Sequence, residues 1–254
     1  MWKGGYYLFG FTLAVSVLSY WEFVRLAAHK GAFAQLFLGE VFVIALVCAL
    51  FFNIALLIPI FIVAITMILF VELYRKKGSA ILNLSATLLG GLFYSLLFGS
   101  FILIHNLAPI HHIEAAEIGQ WILLLILSIW ACDSAAMIIG SYFGRHKLMP
   151  RISPNKSVEG TVAGFLFAIL AAYICHLWFI DVLSPLHSMA IGAIGGSFGQ
   201  YGDLFESMLK RDAGVKDSSN LIPGHGGLFD RFGMSRARLA YIIDSTSAPI
   251  CILI

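Results

Sequence analysis

Carboxylates and cationic side chains gather in the stretch from Asp203 to Arg231, within a chain that is otherwise poor in charge. The stretch begins with a helical pattern, because apolar and polar residues recur on opposite faces up to Lys210. A polar loop follows, and glycine and proline punctuate it at Pro223–Gly227 (PGHGG). Magnesium prefers hard oxygen ligands such as carboxylates and phosphates, and Lys and Arg neutralise phosphate charge. These residue types favour a metal-dependent phosphate site, although a solvated basic loop with glycine turns would have the same composition.

A second basic segment, residues 143–160 (FGRHKLMPRISPNKSVEG), carries four cations, namely Arg145, Lys147, Arg151 and Lys156. Ser157 is the predicted N-cap of the helix that follows. A helix N-terminus beside cations suits an anion such as phosphate. Anchoring of the segment at the membrane surface by its positive charge would explain the cations equally well.

Both segments carry the residues of a known family signature. The first reads Ser207-x-Leu209-Lys210-Arg211, Lys216-Asp217, Ser219, Ile222-Pro223, His225-Gly226-Gly227-Leu228 and Asp230-Arg231-Phe232. The second reads Lys147-Leu148, Pro150, Ile152-Ser153-Pro154, Lys156-Ser157 and Glu159-Gly160. This order resembles the phosphatidate cytidylyltransferases, also called CDP-diacylglycerol synthases. Gly233 stands where the family pattern usually ends in Asp, and Val158 where it often has Trp. The resemblance covers Asp133 to Phe232, whereas the N-terminal half agrees only in hydrophobicity.

The resemblance implies an enzyme of phospholipid biosynthesis that transfers a cytidylyl group from CTP to phosphatidic acid, with CDP-diacylglycerol and pyrophosphate as products. It also implies a magnesium cofactor, and a second cation, for example a monovalent one, stays open. The expected partners are CTP, phosphatidic acid and membrane lipids but no nucleic acid, and a homodimer stays open.

Site residues are assigned from the same resemblance. The expected metal ligands are Asp203 and Asp230, with Asp217 and Asp133 as further candidates. The expected catalytic residues are Asp203, Asp230, Lys210, Lys216 and Asp217. The expected substrate-binding residues are Lys156, Arg211, His225, Gly226, Gly227, Arg231 and Arg145.

Membrane helices must position these residues. Of the 254 residues, 60% are hydrophobic and only 12% are charged, about half the charge of a soluble domain. Apolar runs of about 20 residues recur along the whole chain. We expect one all-α polytopic membrane domain over residues 1–254, with N-terminal helices in 1–117 and catalytic helices and cytosolic loops in 118–254.

About eight spans are predicted. The apolar run 41–71 is too long for one straight helix and is interrupted at Asn53 and Pro59, so it is expected to form a hairpin of two short helices. Glycines four residues apart at 192/196 and 195/199 permit close helix contact. The predicted spans are Tyr6–Val24, Glu40–Phe52, Ala55–Glu72, Ile81–Ile104, Ile118–Phe143, Thr161–Phe179, His187–Ser207 and Leu239–Ile254.

The distribution of Lys and Arg orients these spans. All of these cations except Lys3 fall in the odd-numbered connections, which are therefore predicted to be cytoplasmic. Both termini would then lie outside, and the cation-rich segment would face the cytosol, where nucleotides are found. The short loops favour a bacterial inner membrane protein.

Two other functions stay open at this point. One is a cytidylyltransferase with a different lipid phosphate as acceptor. The other is a small cation-coupled transporter, with Asp133 and Asp203 on a cation or proton pathway, because ionisable residues within spans are costly and often functional. Asp133 could instead form an interhelical hydrogen bond. The cation-rich loop at the membrane face argues against a transporter, which does not need it.

Overall fold

The structure is a computed structural model that describes residues 4–107, 115–180 and 183–215. These ranges contain seven α-helices, one short 3-10 helix and a two-stranded antiparallel hairpin. The helices are α1 (Gly4–Ala28), α2 (Leu36–Phe52), the 3-10 helix (Ile54–Leu56), α3 (Leu57–Tyr74), α4 (Ala80–Leu107), α5 (Ala115–Phe143), α6 (Val158–Phe179) and α7 (Pro185–Asp212). The hairpin strands β1 (Lys147–Met149) and β2 (Ser153–Ser157) lie between α5 and α6.

The chain is an integral membrane protein. Five of the described helices, α1, α3, α4, α5 and α6, are long and apolar enough to cross a bilayer, and α2 is a shorter apolar helix. The predicted all-α polytopic fold is thereby confirmed, but the number of eight spans is not. The predicted eighth span, Leu239–Ile254, lies outside the described residues.

The predicted break in the long apolar run is confirmed, and it lies at Asn53. This residue has extended backbone angles and ends α2, and its side chain accepts a hydrogen bond from the backbone N–H of Ala55 at 3.0 Å. Asparagine competes for backbone hydrogen bonds in this way, which separates two helices in an apolar run. Pro59 falls in the first turn of α3, where proline is tolerated.

The chain divides into two compact units. The first contains α1 to α4 together with α7 from Leu209 onwards, and the second contains α5, the hairpin, α6 and α7 up to Met208. That residues 1–254 form one membrane domain, with N-terminal helices in 1–117 and catalytic helices in 118–254, stays a prediction.

The first unit combines an apolar core with a buried polar cluster. Its core includes Tyr20, Val43, Tyr94 and Phe98 from α1, α2 and α4. The buried carboxylate of Glu72 at the end of α3 accepts hydrogen bonds from Gln35 Nε2 at 2.7 Å and from Asn83 Nδ2 at 2.6 Å. These bonds join the start of α2, the end of α3 and the start of α4. Because buried polar groups must find partners, the cluster fixes how these helix ends meet.

The second unit is built on close helix contacts at glycine. A Cβ added to Gly192 of α7 would lie 2.7 Å from the backbone oxygen of Ala168 on α6, and one added to Gly196 would lie 2.7 Å from the Ala168 Cβ. The predicted contact of the α7 glycines with a neighbouring helix is thus confirmed. Nearer the start of α6, a Cβ on Gly160 would lie 2.6 Å from the backbone oxygen of Ala136 on α5. Only residues without a side chain allow α6 to approach both neighbours this closely.

Candidate functional site

A cavity of about 640 Å³ opens within the second unit. This volume lies within the range of pockets that bind small molecules and cofactors. Its walls come from the C-terminal half of α5, the hairpin, the first turn of α6 and α7. The lining residues are Asp133, Ala136, Met137, Gly140, Ser141, Gly144, Lys147, Asn155, Lys156, Ser157, Gly160, Thr161, Gln200 and Asp203.

The hairpin supplies the cations of the cavity. Its strands pair antiparallel with Lys147 opposite Ser157 and Met149 opposite Ser153. The turn closes with a hydrogen bond from the Ile152 N–H to the Met149 oxygen at 3.0 Å. Sequence analysis predicted only the helix start at Ser157 in this segment and missed the strands. Pro150 occupies the second position of the turn, which proline favours, but a turn residue alone does not identify the two short strands beside it.

The start of α6 lies directly beside these cations. Ser157 is the N-cap of α6, as predicted, and its Oγ accepts a hydrogen bond from the Gly160 N–H at 3.2 Å. The Thr161 hydroxyl donates to the Ser157 oxygen at 2.9 Å. The N-terminal end of a helix carries partial positive charge and favours anions. Lys156, immediately before the cap, adds a full positive charge at this end of the cavity.

An ion pair links the hairpin to α7. Lys156 Nζ contacts the Asp203 carboxylate, and the two side chains are 27% and 20% exposed. Asp133 of α5 lines the same cavity. The structure therefore brings together three predicted site residues that are far apart in the sequence. The cavity thus contains two carboxylates, Asp133 and Asp203. It also contains two lysines, Lys147 and Lys156, so the formal charges of these four side chains cancel.

Gln200 is a polar cavity residue that sequence analysis did not identify. It is buried, and its Nε2 donates a hydrogen bond to the Thr161 oxygen at 2.9 Å and contacts Cys132 Sγ at 3.1 Å. The amide is thereby fixed between α5 and α6. Its position three residues before Asp203 places both on one helix face, and this spacing was the available signal.

Other predicted residues lie elsewhere. The Arg145 side chain is exposed and does not line the cavity, although its backbone N–H donates to Glu159. Lys210 and Arg211 lie at the C-terminal end of α7, in the part assigned to the first unit. There the Val215 N–H donates to the Lys210 oxygen at 3.0 Å, and Arg211 Nη1 donates to the Val215 oxygen at 3.4 Å. The predicted residues Lys216, Asp217, His225, Gly226, Gly227, Asp230 and Arg231 lie outside the described residues.

The donor set of the cavity fits a hard divalent cation that also contacts a substrate. No group of three or more His, Cys, Asp or Glu side chains within residues 4–107, 115–180 and 183–215 is arranged to hold a metal. Asp133 and Asp203 nevertheless supply two carboxylates to one cavity. Magnesium typically takes one or two protein carboxylates and completes its shell with water and substrate phosphates. A complete cage of protein ligands is therefore not required.

Comparison with known proteins identifies the family of the chain. The model of the "Cytidylyltransferase family" matches residues 1–240. The phosphatidate cytidylyltransferase of Staphylococcus aureus (strain COL) is 44% identical over 114 residues, which are 44% of this chain and 44% of that protein. That of Staphylococcus epidermidis (strain ATCC 12228 / FDA PCI 1200) is 45% identical over 114 residues, again 44% of each chain. The match thus spans less than half the length of these relatives.

Proposed function

Because the chain belongs to the cytidylyltransferase family, we propose that it transfers a cytidylyl group from CTP to phosphatidic acid. The observation that carries the proposal is the cavity in which Asp133, Lys156 and Asp203 meet beside the N-terminus of α6. Such a site has what a reaction between two phosphate compounds needs, namely cations for both anions and carboxylates for a metal. The names of the staphylococcal relatives support the same reaction.

The reaction needs orientation and charge compensation rather than a strong base. The phosphate of phosphatidic acid is already anionic at neutral pH, since the second pKa of a phosphomonoester is about 6. One of its oxygens attacks the α-phosphorus of CTP, and the bond from that phosphorus to the oxygen bridging to the β-phosphate breaks. The electron pair leaves with pyrophosphate, so CDP-diacylglycerol and pyrophosphate account for all atoms. The barrier comes largely from bringing two anions together in line.

The cavity residues are assigned roles on this basis. Lys147 and Lys156 bind phosphate oxygens and screen their charge, and the positive end of the α6 dipole adds to the attraction for anions. The Lys156–Asp203 ion pair holds the lysine ready in the absence of substrate. The Gln200 amide, held by the Thr161 oxygen, provides a further polar group on the α7 side of the cavity.

Asp133 and Asp203 are the residues of the described chain that would hold magnesium. Bound magnesium would withdraw charge from the phosphate oxygens and from the leaving pyrophosphate. Asp217 and Asp230 stay predicted metal ligands. The residues that stay predicted as catalytic or substrate-binding are Lys210, Arg211, Lys216, His225, Gly226, Gly227 and Arg231.

We further propose that the protein resides in a bacterial inner membrane with this cavity open to the cytoplasm. The bacterial source of the relatives and the Lys and Arg of the hairpin support this orientation. CTP is available on that side, and phosphatidic acid reaches the site from the bilayer.

The test is the conversion of phosphatidic acid by the purified full-length protein in detergent. CTP-dependent formation of CDP-diacylglycerol and release of pyrophosphate are measured with and without magnesium. Asp203→Asn, which keeps the shape of the side chain but removes its charge, is expected to lower turnover by at least about 100-fold, as the loss of an essential electrostatic group does. Glu117→Gln, in the first turn of α5 and outside the cavity, is the matched control and should retain turnover.

Two outcomes would contradict the proposal. A parent protein that consumes no CTP with phosphatidic acid, but does so with a polyprenyl phosphate, would identify a different lipid acceptor. Magnesium-dependent turnover that is unchanged in Asp203→Asn would refute the assignment of this cavity as the reaction site.

A further inference from the structure

Glu159 makes an unusual set of contacts for a residue that does not line the cavity. It lies in the first turn of α6. One carboxylate oxygen accepts a hydrogen bond from the backbone N–H of Arg145 at 3.2 Å, and the other accepts from the backbone N–H of His146 at 3.2 Å. His146 Nδ1 lies 2.6 Å from the same carboxylate. The carboxylate thus gathers donors from the residues that lead from α5 into β1.

These contacts close the base of the hairpin. The Val158 N–H donates to the His146 oxygen at 2.9 Å, beside the Glu159 contacts. Lys147 follows directly in the chain and pairs with Ser157 across the strands. The start of β1 is therefore held on the first turn of α6 by several hydrogen bonds, most of which end on one side chain.

The same hairpin carries four cavity residues, Lys147, Asn155, Lys156 and Ser157. Their positions depend on where β1 and β2 sit relative to α6. A short two-stranded hairpin has little stability of its own in water and depends on what it packs against. Charge-assisted hydrogen bonds to a carboxylate are stronger than neutral ones, and here they supply that attachment.

We propose that Glu159 is a positioning residue for phosphate binding: its carboxylate holds the base of the β1–β2 hairpin against α6, so that Lys147 and Lys156 meet phosphate groups in the cavity. This inference rests on the proposed function only for the identity of the phosphate compounds. The phosphate belongs to CTP or to the lipid, and separate titrations of the two compounds distinguish these sources.

A simpler role for Glu159 makes a different prediction. An acidic residue in the first turn of any helix interacts favourably with the helix dipole. If that were its whole role, removing the charge would lower the unfolding temperature but would leave the Michaelis constants unchanged. If Glu159 instead holds the hairpin in place, removing its charge should weaken phosphate binding and expose the hairpin backbone to proteases.

The experiment compares Glu159→Gln with the parent in detergent. The Michaelis constants for CTP and for phosphatidic acid are measured in separate titrations, together with kcat and the unfolding temperature. We expect the Michaelis constant for CTP, for phosphatidic acid or for both to rise about 10-fold, because a network of charge-assisted hydrogen bonds is lost. The value of kcat should change less than about threefold. Glu159→Asp, which keeps the charge on a shorter side chain, should recover part of the loss. Glu117→Gln is the control for a first-turn acid elsewhere in the same unit.

A second readout does not depend on turnover. Trypsin is added to the folded protein, and cleavage after Lys147 and after the exposed Arg151 at the hairpin turn is followed by intact mass. Glu159→Gln should be cleaved there several times faster than the parent. His146→Ala, which removes only the imidazole contact and is the fallback if Glu159→Gln does not fold, should be cleaved at an intermediate rate.

The outcomes separate this inference from the proposed function. Parent-like Michaelis constants for both compounds, or parent-like cleavage of the hairpin in Glu159→Gln and His146→Ala, would overturn the positioning role. A parent protein without cytidylyltransferase activity, but whose hairpin is cleaved faster after Glu159→Gln, would refute the proposed reaction and leave the hairpin attachment supported.

Discussion

Replacing Lys156 by Gln tests how the candidate site handles phosphate charge. The substitution removes a cation that contacts Asp203 and that we assign to a phosphate of the substrate. A hydrogen bond to a charged group contributes about 1.5–3 kcal/mol, and a tenfold change in a binding or rate constant corresponds to about 1.4 kcal/mol. The expected loss in kcat/KM for CTP is therefore about 10- to 100-fold.

The same substitution has a smaller effect on stability. Exposed ion pairs contribute about 0–1 kcal/mol, and breaking a fully buried pair costs about 3–5 kcal/mol. Lys156 and Asp203 are 27% and 20% exposed, so an intermediate cost of about 1–2 kcal/mol is expected. Unfolding in detergent should therefore occur at a slightly lower temperature, with most of the protein folded under assay conditions.

A double-mutant cycle separates the two effects. Pyrophosphate release is measured at limiting CTP for Lys156→Gln, Asp203→Asn and the double variant. If the two residues served only to neutralise each other, the double variant would recover stability and activity together. If both contact substrate or metal, it should recover part of the stability but remain less active than either single variant. A kcat/KM for Lys156→Gln within twofold of the parent would refute the reasoning, and Lys76→Gln, at an exposed position after α3, is the control.

Three further predictions concern capping and packing, two in the second unit and one in the first, and each is checked by thermal unfolding in one detergent. Ser157→Ala removes the N-cap of α6 and should cost about 1 kcal/mol; an unchanged midpoint would contradict the capping role. Gly192→Ala should lower the midpoint because its Cβ would collide with α6, whereas Gly10→Ala, with nothing within 4 Å of its Cβ, should be neutral or stabilising. Glu72→Ala removes the acceptor of one N–H each of Gln35 and Asn83, which keep their bonds to the Ile68 and Lys77 oxygens, and should cost about 1–3 kcal/mol; parent-like unfolding would show that the freed N–H groups find water instead.

The helices of this protein could be predicted from the sequence because the bilayer imposes a length and an apolar composition on each span. The break at Asn53 was predictable for a related reason, since an apolar run of that length cannot cross as one straight helix. The N-cap at Ser157 followed from local chemistry that involves only the next three residues. These features depend on residues that are close together in the chain, so the sequence alone is enough to predict them.

The cavity depends instead on contacts between distant residues. Nothing in the local sequence around Lys156 indicates that its partner is Asp203 on α7. Gln200 shares a helix face with Asp203, which the sequence spacing indicates, but the bond that fixes its amide to the Thr161 oxygen joins residues 39 positions apart and becomes visible only in the fold. The hairpin strands are three and five residues long, too short for a clear alternating pattern.

Glycine packing between α5 and α6 connects the fold to the chemistry of the site. A Cβ on Gly160 would lie 2.6 Å from the Ala136 oxygen and 2.9 Å from the Gly140 Cα. A side chain at this position would therefore move the first turn of α6 away from α5, and the hairpin attached to that turn would move with it. Lys156 would then shift relative to Asp133, which α5 carries one turn before Ala136. The small residues that permit close helix packing thus also set the distance between the cations and the carboxylates that a phosphate-transfer site must hold together.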